Sequence, residues 1–143
     1  MKIYLDNSAL NRPFDNQSSS QIRLETVAMF FIFEFIEKGK IKLVNSSVVE
    51  YENSKNPFLE RKIWISAYLA NFFFYQELNL KIKERAMEMA NLKISSIDSL
   101  HLSSAEAARV DYFITCDYDI IKRYKGSLKV MNPVDFIQLL KFK

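Results

Sequence analysis

Apolar and polar positions along this chain follow two rhythms, one of strands and one of helices. The opening "KIYLD" is an apolar run that stops on a carboxylate, and residues 2–6 read as a first strand. From Gln21 to Lys38, apolar residues at Ile22, Val27, Phe30, Phe31, Phe35 and Ile36 recur at roughly helical spacing, and Gly39 is placed to end that helix. "IKLVN", 41–45, reads as a second strand. Ser47 and Glu50 have the spacing of a capping box and predict a helix start. Asn56–Pro57 predicts another, with Asn as cap and Pro at the first helical position, carrying Trp64, Tyr68, Phe72 and Phe73. A short extended piece follows at "FFFYQ", then a helix over Lys81–Leu92 and one capped by Ser95 or Ser96 that runs through Arg109. Strand "YFITC", short helix "DIIKRYK", strand "LKVM" and a last helix after Asn132–Pro133 complete the series. Such alternation predicts an α/β fold with a central, mostly parallel sheet covered on both faces.

Composition narrows the picture. A chain of 143 residues with only two glycines and three prolines reads as one domain, 1–143, without long flexible linkers. Twelve phenylalanines favour a dense core that continues into a subunit interface, so a homodimer is expected. A net charge of +3 is compatible with a polyanionic partner without requiring one. The single Cys116 cannot form an internal disulfide, which suits a reducing compartment. "MKIYLDN" turns polar too soon for a signal peptide, and Glu34 and Glu37 break the apolar run "VAMFFIFEFIE", which excludes a membrane span there. The expected location is cytoplasmic.

The chemistry lies in the carboxylates. The late stretch "YFITCDYDIIKRYK" is a hydrophobic strand that drops onto Asp117 and Asp119, and the first strand likewise ends on Asp6. In open α/β sheets ligands bind beyond the carboxyl ends of the strands. Glu50 or Glu52 falls in the helix after strand two, and Asp98 in the first turn of the helix before "YFITC". If these ends converge, three or four carboxylates share one cleft and repel one another. A hard divalent cation, Mg²⁺ or Mn²⁺, resolves that conflict through carboxylate and water oxygens, and a metal so held commonly works on phosphate. Each residue also has a plainer reading. Asp6 and Asp119 serve as helix caps, Asp98 complements a helix dipole, Glu50 closes a capping box, and Glu52 is a solvated helix residue. Their joint placement at one edge favours the functional reading.

Four segments, "YLDNSALNRPFD", "LVNSSVVEYENSKNP", "SSIDSLHLSSA" and "YFITCDYDIIK", together resemble the PIN-domain ribonucleases, the family that includes the VapC-type toxins of bacterial toxin–antitoxin pairs. The resemblance implies a three-layer α/β/α sandwich and a metal-dependent endoribonuclease with one or two Mg²⁺ or Mn²⁺ ions on Asp6, Glu52, Asp98 and Asp117. It selects Glu52 over Glu50, because the family's glutamate follows a strand-end Ser by six positions, as Glu52 follows Ser46. It makes Asp119 an auxiliary ligand, and Asn7, Ser8 and Thr115 residues that orient the carboxylates. It implies RNA as substrate, products with a 5′-phosphate and a 3′-hydroxyl, and a small antitoxin protein as partner.

Other residues carry less. His101 lies three positions after Asp98 on the same helix face and reads more readily as a packed residue than as a ligand. Cys116 reads as core filler, and Phe72–Tyr75 as core plus dimer surface. Arg12, Lys122 and Arg123 follow site residues closely and are candidates for substrate phosphates. Two rival functions remain. One is a non-catalytic module of the same fold that binds RNA or protein; the other is a phosphatase-like Mg²⁺ phosphoryl-transfer protein. The phosphatase needs a second Asp two residues after the first, and position 8 is Ser.

Overall fold

The computed structural model describes residues 1–140. Its five strands are β1 (Lys2–Leu5), β2 (Lys42–Ser46), β3 (Phe74–Gln76), β4 (Tyr112–Ile114) and β5 (Lys129–Met131), and they form a single sheet in the order β3-β2-β1-β4-β5. Every pairing is parallel, so all strand carboxyl ends lie along one edge. The central strands are short, apolar and buried on both faces, as a covered parallel sheet requires. Ile3, Tyr4, Leu5, Leu43, Val44, Phe113 and Ile114 are all within a few per cent of full burial. Tyr4 stacks on Phe113 across the β1–β4 pair, with ring centroids 5.2 Å apart.

The helices are α1 (Asn7–Asn11), α2 (Ser20–Glu37), α3 (Ser47–Ser54), α4 (Leu59–Leu69), α5 (Leu80–Glu88), α6 (Ser96–Ala107), α7 (Tyr118–Arg123) and α8 (Pro133–Leu140). Short 3-10 turns stand at Arg12–Phe14 and Met89–Leu92. Helix α2 packs on α8 and, through Phe33 against Trp64 and Tyr68, on α4; α5 and α6 pack together in the other layer. This is the PIN-like three-layer sandwich expected from the sequence. Strand β1 lies between β2, which follows it, and β4, which the chain reaches only after crossing back. The β1–β4 boundary is therefore the switch point where such sheets open a crevice.

Several local expectations shift. Helix α2 buries Glu25, Ala28, Met29, Ile32, Phe33 and Ile36, while Val27, Phe30 and Phe31 are about half exposed at 54%, 51% and 46%. The segment is apolar nearly all round, so spacing detects the helix without fixing its phase. Ser46, not Ser47, caps α3, accepting from Val49 N–H at 3.1 Å. Ser47 Oγ instead accepts from Leu78 N–H at 2.9 Å, and Glu50 is held by Asn45 Nδ2 at 2.8 Å, so no capping box forms. Asn56 turns the chain by accepting from Phe58 N–H at 3.0 Å, and α4 starts at Leu59, two residues later than the Asn–Pro signal implied. Phe72, Phe73 and Phe74 are exposed rather than core. No helix among the described residues is long and apolar enough to cross a membrane.

Candidate active site

Asp6 stands where β1 runs out. As N-cap of α1 its Oδ1 accepts from Ala9 N–H at 3.0 Å, and Ser8 Oγ–H donates to the same oxygen at 2.7 Å. From β4, Thr115 Oγ1–H donates to Oδ2 at 2.6 Å. The Asp6 backbone N–H donates to Ile114 at 3.2 Å, which ties the two strand ends together. The carboxylate is 3% exposed, and burial pushes its pKa up to about 6; the donors Thr115, Ser8 and Ala9 and the nearby His101 pull the other way without cancelling it. The same Thr115 oxygen accepts from Asp117 N–H at 3.0 Å, so one hydroxyl joins the two strand-end aspartates.

Asp117 caps α7, its Oδ1 accepting from Asp119 N–H at 2.9 Å; Asp119 itself is exposed. Asp98 sits in the first turn of α6, where Ser95 Oγ–H donates to its Oδ2 at 2.9 Å. Burial raises the pKa of Asp98 and the charges of Asp117 and Glu52 push the same way, while Ser95 and His101 oppose them. Asp98, Asp117 and Asp119 line one depression together with Lys93 and Arg123.

Glu52 lies on the inward side of α3. Two residues turn a helix by roughly 200°, so Glu50 cannot share its direction and meets Asn45 instead. Glu52 Oε1 is 2.6 Å from His101 Nε2, His101 Nδ1 is 2.7 Å from Tyr4 Oη, and that hydroxyl is 2.7 Å from Ser46 Oγ. Glu52 also lines a groove of about 460 Å³ with Asn7, Ser8, Lys55, Phe58 and Arg61.

The donor set is all carboxylate oxygen, which suits a hard divalent cation. Glu52 Oε2, Asp98 Oδ1 and Asp117 Oδ2 accept no hydrogen bond among the described residues, and Asp6 Oδ2 accepts only one, so each carboxylate keeps an oxygen lone pair to offer. An uncompensated buried carboxylate at Asp6 is a further mark of such a site. The residues fit the ion in chemistry. Among the described residues, no three Asp, Glu, His or Cys side chains are drawn close enough together to hold a metal as they stand.

Some expected residues stand elsewhere. Ser8 and Thr115 do bond Asp6, but the Asn7 amide oxygen accepts from Asn11 Nδ2 at 2.8 Å and orients no carboxylate. Arg12 is engaged internally, with Nη1 on Asp15 and Nε 3.0 Å from the buried Glu25, because a carboxylate in the core needs a cation beside it. Lys122 is exposed, and Arg123 Nη1 donates to the Lys93 carbonyl at 2.9 Å. Lys93 was not singled out from the sequence; it has a left-handed backbone, φ 61°, at the rim of the depression. His101 and Tyr4 were missed as neighbours of Glu52, although the Asp98-x-x-His101 spacing on one helix face was the available signal.

No family model matches the chain, and no curated protein matches it. Solved structures do. VapBC2 from Rickettsia felis, bound to a DNA fragment from its promoter, is 18% identical with a TM-score of 0.59, over 92% of this chain and 98% of that one. FitAcB from Neisseria gonorrhoeae is 14% identical with a TM-score of 0.57, over 92% and 97%. PAE2754 from Pyrobaculum aerophilum is 14% identical with a TM-score of 0.59, over 98% and 88%. These likenesses concern the fold. They correct the family assignment drawn from the four acidic segments: without a matching family model, and at 14–18% identity, the chain is not placed in the PIN-domain family. The physical reason is that Asp, Ser and Asn at strand and helix ends are dictated by capping and turns in any α/β sheet, so short segments of them specify architecture more than ancestry.

Proposed function

We propose that this protein is a metal-dependent endoribonuclease and that it acts as the toxin of a toxin–antitoxin pair. The observation that supports the reading is that Asp6, Glu52, Asp98 and Asp117 all stand on elements at the carboxyl edge of a parallel sheet, with Thr115 joining Asp6 to Asp117 and each carboxylate keeping an oxygen lone pair to spare. Mg²⁺ or Mn²⁺, when bound there, supplies Lewis acidity and an activated water for phosphodiester hydrolysis. The chain's own part is to hold Asp6 still through Ser8 and Thr115, to keep Asp117 beside it through the Thr115 hydroxyl, and to present Glu52 from α3. Asp119, exposed at the rim, is an auxiliary group. Lys122, Arg123 and Lys93 offer cations for the phosphates on either side of the scissile bond.

The fold shared with VapBC2 and FitAcB supports a small antitoxin protein as partner. The exposed Leu24, Val27, Phe30 and Phe31 on α2 supply apolar surface for it or for a second copy of the chain. Incubation of the pure protein with matched RNA and DNA strands, with Mn²⁺ or with chelator, tests the activity. The expected result is metal-dependent cleavage of RNA, leaving 5′-phosphates and 3′-hydroxyls, and its loss in Asp6→Asn. Cleavage undiminished by that substitution sinks the reading. RNA binding without cleavage by the wild type favours the non-catalytic alternative.

A further inference from the structure

The groups that hold Glu52 form a buried chain across β1, β2 and α6, and none of them belongs to the acidic set. Ser46 and Tyr4 are 0% exposed and His101 is 1% exposed. The direction of the bond to Glu52 follows from what each atom can do. A carboxylate only accepts, so His101 Nε2–H donates to Glu52 Oε1 at 2.6 Å. His101 Nδ1 and Tyr4 Oη share a further hydrogen bond at 2.7 Å, its direction set by the state of the ring. The Tyr4 and Ser46 hydroxyls are hydrogen-bonded to each other at 2.7 Å, and the Ser46 oxygen accepts from Val49 N–H at 3.1 Å. A ring carrying its only proton at Nδ1 would set two lone pairs against each other at 2.6 Å.

Such a chain has a use that packing alone does not require. A free glutamate side chain samples many rotamers, and fixing one costs up to about 2 kcal/mol at the moment a ligand binds. With Oε1 fastened by an imidazole that is itself fastened at both nitrogens, that ordering is complete beforehand. Oε2 is left for the groove that Glu52 lines with Asn7 and Ser8. We propose that His101 and Tyr4 are positioning residues: through the Nε2–H···Oε1 bond they pre-orient Glu52 for a divalent cation. This rests on the cleavage reading above, since it gives Glu52 a metal to meet.

His101 is the only histidine in the chain, so a ¹⁵N spectrum of the metal-free protein reports this imidazole alone. The expected signature is a slowly exchanging proton on Nε2; a ring protonated at Nδ1 alone overturns the inference. Mn²⁺ affinity, read by electron paramagnetic resonance, then separates positioning from packing. His101→Gln keeps an N–H near the Nε2 position and should bind Mn²⁺ within about 3-fold of wild type. His101→Asn is too short to reach Glu52 and should lose about 10–100-fold, the usual cost of removing a group that orients a ligand. Equal affinity in these two variants overturns the inference. Should either variant fail to fold, Tyr4→Phe, whose ring can keep its stacking on Phe113, carries the test: weaker Mn²⁺ binding supports the role and unchanged binding overturns it. A wild type that binds no Mn²⁺ overturns the cleavage reading and this inference together, which sets that failure apart from the others.

Discussion

Two buried carboxylates in this molecule are treated in opposite ways. Glu25, 1% exposed inside α2, has the Arg12 guanidinium 3.0 Å away and accepts from Gln21 Nε2 at 3.1 Å and from Asn132 Nδ2. The Arg12 approach is off the line of a hydrogen bond, so it compensates charge rather than making a directed bond. Asp6, 3% exposed, has only neutral donors around it: two hydroxyls and one backbone N–H. The first charge is matched and fastens α2 to the turn at Arg12–Phe14 and to the start of α8. The second is left unmatched at the crevice of the sheet, where a cation from solution can serve. Glu25 is thus a buried charge with its own counter-ion, and Asp6 a buried charge without one.

The largest test of that contrast is to remove the counter-ion. Arg12→Met leaves Glu25 buried without a counter-ion and should cost about 3–5 kcal/mol in urea unfolding. Mn²⁺ affinity of the folded fraction should be unaltered; a near-neutral stability change would mean the pair does not hold the scaffold. Asp6→Asn should act with the opposite sign. Its folded pKa of about 6 lies above the ordinary carboxylate value of about 3.9, so between these values the native state binds the more protons. The stability this gives is complete below about pH 4 and is lost as pH rises through about 6, a fall of about 2–3 kcal/mol at most. Asp6→Asn should flatten that part of the pH profile and raise metal-free stability at pH 7 while abolishing the stabilisation by Mn²⁺. A wild-type profile that is flat or rises from pH 4 to 7 would contradict an unmatched Asp6; Asp98, also shifted upward, adds a slope of the same sign.

Smaller effects sharpen the boundary between site and scaffold. Lys122→Ala with Arg123→Ala should weaken RNA binding and reduce its salt slope by about 1.4, for two phosphate contacts with a single strand, and leave metal affinity alone. An unchanged slope returns both residues to the solvated surface. Glu50→Gln, which disturbs only the Asn45 contact, should cost about 1 kcal/mol or less and keep cleavage, whereas Glu52→Gln should keep the fold and lose cleavage. The reverse pattern would move the working glutamate to position 50.

Local signals carried the architecture. All five strands, the stop at Gly39 with its φ of 72° and a serine cap at 95 or 96, which falls on Ser95, were readable because each depends on a few neighbouring residues. Where two adjacent residues offer the same chemistry, as Ser46 and Ser47 do, sequence cannot choose; the strand-end Ser46 caps because its extended backbone aims Oγ at Val49. The phase of α2 was hidden because what lies inward is partly a glutamate whose partner stands on another element. The positions of Asp6, Glu52, Asp98 and Asp117 at element ends were legible. Of their neighbours, Ser8 and Thr115 were expected beside the carboxylates and do bond Asp6, Thr115 across 109 positions, whereas the meeting of His101 with Glu52 across 49 positions was not legible.

The separation of Asp6 from Thr115 also has a consequence in time. A ribosome extends a chain by roughly 5–20 residues per second, so Asp6 waits roughly 5–20 s before Thr115 is even made. Until then β1 has no β4 to pair with, and the central strand of the sheet is an unsealed edge. A nascent or truncated chain that stops short of Thr115 can hold its early helices and still lack the corner that Asp6 shares with β4. The corner that Asp6 shares with Thr115 thus comes into being only as the last quarter of the sequence arrives.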